Sequence, residues 1–377
     1  MQSNLTYSNN HPYTKHVERD IAQLCQSGLD SIGLRRAAMQ RLRRTVAFDA
    51  YCCGTIDPET LLITSEVSEG IPTSAFAPAA KNEYLTNDVN KFSQLARGPK
   101  RTGILSQNER SALEHNPRYL TVLKPSGFTH ELRAAFVSDG TCWGGVTLLR
   151  NADAPDFTLA EANLLAKLSQ KLAEGLQMAL LAEQAPTADG ELGAGMILLS
   201  ATGAVEAITP AAQAWLAELV EPGFRVPEGW LPAPVHEVAM RARAIAQAIS
   251  EGGTPEYTQA HLRVRTYAGQ WLMLHGSHVI SKGINTGQTA IIFERAHFSQ
   301  IAQMLMLAYE LTPREREVLQ LVLKGLSTKE IAQTLHTSAH TVQDQLKAIF
   351  NKVGVHSRSE LVGRVLGEHY LPFFEPK

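Results

Sequence analysis

Residues 311–366 read LTPREREVLQLVLKGLSTKEIAQTLHTSAHTVQDQLKAIFNKVGVHSRSELVGRVL, and this stretch decides the fold of the C-terminal part of the chain. Three capping boxes punctuate it: Thr312 with Glu315, Ser327 with Glu330, and Ser357 with Glu360. In each, a hydroxyl can accept from a free backbone N–H while the carboxylate three residues on reaches back. Pro313 stands at a first helical position, where its missing N–H costs nothing, and Ser338 suits a fourth N-cap. Four short helices are expected, at about 313–323, 327–335, 339–352 and 357–367.

The apolar positions fit one shared core. Val318, Leu319 and Val322 repeat at helical spacing, as do Ile331 and Leu335, then Val342, Leu346 and Ile349, then Leu361 and Val365. Only His336 and Thr337 separate the second helix from the Ser338 cap, which suits two helices crossing steeply, with small Ala332 admitting Val342. The third helix then turns Gln343, Asp344 and Lys347 outward, a surface able to enter a major groove. Caps and amphipathicity alone would fit a generic helical bundle as well.

The string as a whole is more specific. In LTPRE, GLSTKEIA, TVQ and KVGVHSRSEL, in that order and spacing over some 56 residues, it resembles the DNA-binding domain of LuxR-type transcription regulators. The resemblance implies an all-α helix-turn-helix at 311–367 that binds double-stranded DNA as a pair of modules, with Ser357–Leu366 as the pairing segment and RNA polymerase as a partner of such a regulator. It places Gln343, Asp344 and Lys347 where groove-facing residues lie, and Ser327, Thr328, Lys329, Thr341 and Lys352 where backbone contacts are usual. Lys347 can donate to guanine or phosphate, Gln343 can pair with adenine, and Asp344 can accept from cytosine but repels phosphate. Gln345 departs from the histidine common in the motif. From Leu311 to Lys377 nine Lys/Arg face seven Asp/Glu. So weak a positive charge makes non-specific affinity low and pairing of modules important.

A chain of 377 residues exceeds one ordinary core, so further domains precede this module. Hydrophobic residues at 44%, charged residues at 19% and a net charge of −2 describe a globular protein, not a general coat for nucleic acid. Helical patterns at 21–29 and 34–46 lead into strands at 50–56 and 61–66 around an Asp57-Pro58 turn. A hairpin follows, 131–137 and 142–149 about Asp139-Gly140, and Thr158 with Glu161 caps a long closing helix. RLRRTVAFDAYCCGTIDPET (41–60) and DGTCWGGVTLLR (139–150) resemble a GAF sensor domain, which implies an α+β unit at 17–181. On the closing helix Leu165, Leu168, Leu172 and Leu176 recur three and four apart, with Ala179 following. They suit packing on the helix's own sheet or a seam between two protomers.

Residues 182–194 read as a polar linker with Pro186, Gly190 and Gly193. Strands at 196–200 and 204–208, a helix from Pro210 through Leu219, a Pro-rich stretch at 221–234 and a helix at 235–249 come next. A three-strand meander at 261–267, 270–280 and 289–294 closes the unit. Two strands, helices and a meander resemble an α+β PAS domain, at 195–296. A connecting helix at 297–310, with Ile301, Leu305 and Ala308 on one face, abuts Thr312, so movement upstream can be felt at the DNA-binding module. The whole is expected to be multidomain, a regulator whose upstream units take a small molecule or a partner. The other expectation is that they serve only oligomerisation or protein interaction.

Enzymatic chemistry finds little support. His236-Glu237 begins as a zinc-protease motif would, but Met240 holds the second histidine's place, leaving a pair expected on a helix surface. No GxxxxGK, GxGxxG or GxSxG occurs. Cys25, Cys52, Cys53 and Cys142 lack CxxC spacing and are expected reduced; Cys52 and Cys53, adjacent on a strand, should face opposite sides. His261, His275 and His278 suggest a pocket or a haem but no partner ligand is identifiable, so no cofactor is named and no metal site is expected. The first 180 residues lack the alternating pattern of a phosphoacceptor receiver domain. No apolar run is long enough to span a bilayer and no signal peptide is evident, so a cytoplasmic protein with no membrane partner is expected.

Overall fold

The computed structural model describes residues 12–107, 113–182, 192–281 and 284–368. Two antiparallel sheets, each flanked by helices, precede a helical C-terminal domain. The first unit opens with α1 (Pro12–Cys25) and α2 (Ser31–Leu42), the latter capped by Asp30, whose carboxylate accepts from Gly33 N at 2.6 Å. Strands β1 (Ala50–Ile56) and β2 (Ile63–Glu69) lead into α3 (Phe76–Leu85) and α4 (Phe92–Arg97). Then β3 (Thr102–Ile104), β4 (Phe128–Ser138) and β5 (Thr141–Asn151) complete a sheet of order β2-β1-β5-β4-β3. Asp139 and Gly140 both take positive φ, 47° and 76°, as a two-residue hairpin turn requires.

Strand alternation divides this sheet between two cores. One face, with Cys53, Leu132, Phe136 and Leu148, packs under α1, α2 and α5 (Leu159–Ala182). The other, with Ala135, Val137 and Cys142, meets Phe92 and Leu95 of α4. The Thr158–Glu161 box at the start of α5 forms in both directions. Leu165, Leu168, Leu172 and Leu176 are buried in the core under this sheet, and Ala179 is buried as well. Four of the five residues of that stripe thus pack against the helix's own sheet and its neighbours in the single chain.

The linker expected at 182–194 falls mostly outside the described residues. Strands β6 (Gly195–Leu199) and β7 (Val205–Ile208), helices α6 (Pro210–Glu218) and α7 (Ala233–Ser250), and strands β8 (Ala260–Arg265), β9 (Trp271–Ser281) and β10 (Ile284–Arg295) build the second unit. Its order, β7-β6-β10-β9-β8, repeats that of the first sheet when each is numbered from its own first strand. Helix α7 lies close over β9 because residue 276 is glycine: a Cβ there would fall 2.6 Å from Val238 Cγ1.

Helix α8 (Phe298–Ala308) joins this body to α9 (Pro313–Leu323), α10 (Thr328–Thr334), α11 (Ala339–Val353) and α12 (Arg358–Val362). The last is followed by a π-helical turn at Gly363–Glu368, so the helix expected at 357–367 is not one regular element. The Thr312–Glu315 and Ser327–Glu330 boxes close as anticipated. Ser357 caps α12, but Glu360 reaches His356 N at 2.9 Å rather than the Ser357 amide. Among the described residues no helix is long and apolar enough to cross a membrane.

Candidate nucleic-acid interface and an upstream cavity

Helix α11 owes its placement to its neighbours. Val342, Leu346, Ile349 and Val353 are buried in a core shared with Val318, Leu319, Val322 and Ile331. Arg314 Nη2 donates to Leu335 O at 3.0 Å, tying α9 to the end of α10. Arg358 donates to Val322 O at 3.3 Å and to Leu326 O, tying the last helix to the turn before α10. His336 takes φ 50° in the tight connection between α10 and α11. Ser338 then accepts from Thr341 N at 3.0 Å and starts α11.

On the side of α11 away from this core, Gln343, Asp344 and Lys347 are exposed and share a face, being three and four residues apart. Thr341 is exposed at the start of the helix, and Ser327, Thr328 and Lys329 stand at the start of α10, Thr328 half-buried. Asp344 lies 3.9 Å from His340 Nε2, one turn back, an exposed neighbour that balances its charge only when the imidazole is protonated. Lys352 differs from the rest: its ammonium donates to Glu315 Oε2 at 2.7 Å and to Glu310 O at 2.9 Å. Burial raises the Glu315 carboxyl, but Lys352 and the Thr312 cap outweigh it and hold the group below its usual range. That lysine clamps the end of α11 to the entry of α9.

The first sheet carries a cavity of about 90 Å³ on its α3–α4 side. Its wall is mostly apolar, with Phe76, Val122, Leu123 and Phe128, over a floor of buried charge. Arg118 donates to Glu131 Oε2 at 2.6 Å and to Asn82 Oδ1 at 3.0 Å. Arg133 bridges Glu131 at 3.2 Å and Glu83 at 2.8 Å. Cys52 and Cys53 do face opposite sides: Cys53 is buried under α1 and α2, and Cys52 lines the cavity. Cys52 Sγ donates to Glu66 Oε2 at 3.4 Å. Burial pushes the Cys52 thiol well up and the Glu66 carboxyl up to about 7, so the sulfur stays protonated and a poor nucleophile.

Helix α7 of the second unit closes the cavity with His236 and Glu237. The pair is thus not on a helix surface, as its sequence suggested; the 174 residues separating Glu237 from its partner Ile63 hide the contact from any local pattern. Glu237 accepts from Ile63 N at 3.0 Å and from the Tyr84 hydroxyl. Burial pushes its carboxyl up to about 8, and His236 down to about 4. In the unfolded chain the same carboxyl releases its proton near 4.5, so between these values the folded state holds more protons. Its stabilising contribution is complete below pH 4.5 and is lost as pH rises through about 8. Glu237→Gln should remove a slope of up to about 1.4 kcal/mol per pH unit from the unfolding free energy measured by denaturant titration in that window. Parallel pH profiles for the two proteins would refute this.

His261 and His275 pair across β8 and β9, and His275 Nε2 meets Glu294 Oε1 at 3.0 Å. His278 stands elsewhere on β9, opposite Thr289. No group of three or more His, Cys, Asp or Glu among the described residues could hold a metal ion.

Residues 309–365 match the family model described as bacterial regulatory proteins, luxR family. The response regulator Rre1 of Synechocystis sp. is 49% identical over 53 residues, which are 14% of this chain and 23% of that protein. The transcriptional regulatory protein ComA of Bacillus subtilis is 50% identical over 52 residues, 14% and 24% of the two chains. The chain thus spans less than a quarter of the length of these curated relatives. Among solved structures, Escherichia coli SdiA aligns over 96% of this chain and 99% of its own, at 11% identity and a TM-score of 0.33. The GAF domain of a phosphoenolpyruvate-protein phosphotransferase from Coxiella burnetii aligns over 45% and 96%, at 13% identity and a TM-score of 0.32.

Proposed function

We propose that this chain, whose residues 309–365 are a luxR-family helix-turn-helix domain, is a sequence-specific DNA-binding transcription regulator governed by GAF-like (17–181) and PAS-like (195–296) units. The observation that carries the reading is the exposed Gln343, Asp344 and Lys347 face of α11, on the domain that matches the family. Lys347 and Gln343 offer donors to base edges, and Asp344 rejects partners that would bring phosphate or an acceptor against it. Ser327, Thr328, Lys329 and Thr341 contribute backbone contacts. Lys352, held in its ion pair, contributes by fixing the helix.

The shared strand order of the two sheets, each with its last three strands running from the middle of the sheet to one edge and helices over one or both faces, supports the GAF-like and PAS-like assignments. Control passes through α8, which has two faces. Ile301, Met304, Leu305 and Ala308 belong to the upstream core, while Ala302 and Met306, with Tyr309 just beyond, belong to the core of the helix-turn-helix. A ligand in the cavity between α3, the sheet and α7 acts by favouring one arrangement of the units over another. In that arrangement two DNA-binding modules of a homodimer align with two half-sites.

Selection of bound fragments from a genomic DNA pool by the full chain tests the reading; recovery of no enriched motif would refute it. Lys347→Ala should weaken binding to the enriched site by about 5- to 150-fold, 1–3 kcal/mol, if it reads a base. Unchanged affinity in a gel-shift titration removes it from the reader set. A second reading, in which the upstream units serve assembly alone, is favoured by Met196 and Ile292. These cross-strand neighbours remain exposed at 42% and 43% on the second sheet. Under it, Ile292→Lys lowers the mass seen by light scattering; under ligand sensing alone the mass does not change.

A further inference from the structure

A second, partly open space lies where the first unit, the second sheet and α8 meet. It has a volume of about 130 Å³ and is lined by Ile32, Trp143, Leu180, Tyr267, Trp271 and Met304, among others. Those residues come from α2, β5, α5, the β8–β9 turn, β9 and α8, so all three bodies contribute a wall.

Trp143 reaches this junction through a break in the β4–β5 ladder. Phe136 pairs with Gly144 and Val137 with Cys142, which leaves Trp143 as the extra residue of a β-bulge. A bulge of this kind re-aims a side chain out of the ladder. Next to it a Cβ at Gly144 would fall 2.6 Å from Leu176 Cδ1 and 2.7 Å from Gly54 O, so the glycine lets α5 close down beside the indole. The indole is only 4% exposed, yet its Nε1–H meets no acceptor. A buried donor left unmet costs about 1–3 kcal/mol, and native structures rarely leave one without a reason.

The guanidinium groups lining the space are already engaged. Arg35 donates to Cys53 O and Ser65 O, each at 3.1 Å. Arg263 grips Asp57, and Arg265 Nε donates to Gly269 O at 2.9 Å. The rest of the wall is mixed: aromatic and aliphatic side chains around Trp143 and Trp271 on one part, and Ser31, Thr55, Asp57, Thr64, Ser65 and Thr266 on the other. Such a site takes a flat ring with one acceptor against its apolar part, and Arg35 and Arg263, whose donors are engaged, offer a carboxylate no free hydrogen bond. The volume is slightly below the roughly 150 Å³ of an engineered cavity that holds benzene, and because the space is partly open a ring substituent has room beyond it.

We propose that this junction is a binding site for a neutral single-ring carbonyl compound, its oxygen accepting from Trp143 Nε1–H, which fixes α8 against the upstream units. The site is separate from the α3–α4 cavity and contacts α8 directly through Met304.

Acetophenone, toluene and benzoate, titrated into the full chain by calorimetry, share a ring and differ in the acceptor, its charge and the bulk of the substituent. Acetophenone should bind saturably, at least tenfold tighter than toluene and than benzoate. Trp143→Phe should erase the preference over toluene, and Leu180→Trp, which fills the space, should abolish binding of both. Hydrogen exchange in 301–308 should slow at least threefold with acetophenone present. Absence of saturable binding, a preference that survives Trp143→Phe, binding that survives Leu180→Trp, or unchanged exchange in α8 each overturns the proposal. If Trp143→Phe does not fold, the toluene comparison and Leu180→Trp still decide.

Discussion

Replacing Arg118 by methionine should lower the unfolding transition of the first unit by roughly 6–20 °C, the equivalent of about 3–5 kcal/mol. The guanidinium is 1% exposed and sits between Glu131, Asn82 and the Val89 carbonyl, with Asp88 3.8 Å from Nε. Burial pushes the Asp88 carboxyl up, but Arg118, with Asn82, Val89 and Asn116, outweighs it and holds the group below its usual range. Methionine fills most of the volume and offers no donor. Two carboxylates, at Glu131 and Asp88, are then left in the interior with less compensation, which is the expensive way to break a buried pair. The surface pair Arg43–Glu69 is the control: at 35% and 54% side-chain exposure its loss should cost under about 1 kcal/mol. Differential scanning calorimetry of both variants decides the matter, and a shift below about 2 °C for Arg118→Met would refute it. Because this network floors the α3–α4 cavity, the same variant should alter whatever binds there.

How much of this could be read in the chain depends on the distance between partners. Caps act over three residues, so Thr312–Glu315, Ser327–Glu330, Ser338 and Thr158–Glu161 were legible and formed. Ser357–Glu360 was legible as a cap but not in its detail, because Glu360 had a second amide, His356 N, within reach. Strand β1 runs over the span expected, since alternation and the Asp57 turn bound it on both sides. The segment 70–127 was not assigned: α3 and α4 are short and β3 has three residues, too few for periodicity to register. Burial between distant segments was invisible. Glu237 meets Ile63 across 174 residues, and Arg118 draws its partners from α3, β4 and the loop between α3 and α4.

The face of α11 was legible because a helix with a buried stripe defines its opposite side. What Lys352 touches was not, since Glu315 lies 37 residues away and only the crossing of α9 and α11 brings them together. Helix α8 shows the limit most clearly. Ile301, Leu305 and Ala308 stood out as one apolar face, but Ala302, Met306 and Tyr309 form a second, rotated by about one residue's turn, about 100°. Nothing local says that a helix apolar on both sides serves two cores rather than one.

That double duty makes Arg263 the residue whose loss should reach furthest. From β8 it donates to Asp57 Oδ2 at 2.7 Å and Oδ1 at 2.6 Å, and to Gln300 O in the first turn of α8 at 2.9 Å. One guanidinium thus holds the first sheet, the second sheet and the connecting helix at a point where Arg263 and Asp57 are 2% and 1% exposed. Arg263→Met leaves Asp57 buried with only the Glu59 and Thr60 amides as donors. The junction should lose about 3–5 kcal/mol. Amide exchange in 301–308 should rise by up to two or three decades, while exchange within α9–α11, whose core does not include Arg263, should change far less. Asp57→Ala on top of Arg263→Met removes the stranded charge and should recover most of the loss, because deleting both members of a buried pair is far cheaper than deleting one. A double variant no more stable than Arg263→Met would show that the guanidinium acts through packing alone. Exchange in α8 that stays at the wild-type rate in the single variant would show that the bolt does not hold the helix, and upstream control of the DNA-binding module would then need another route.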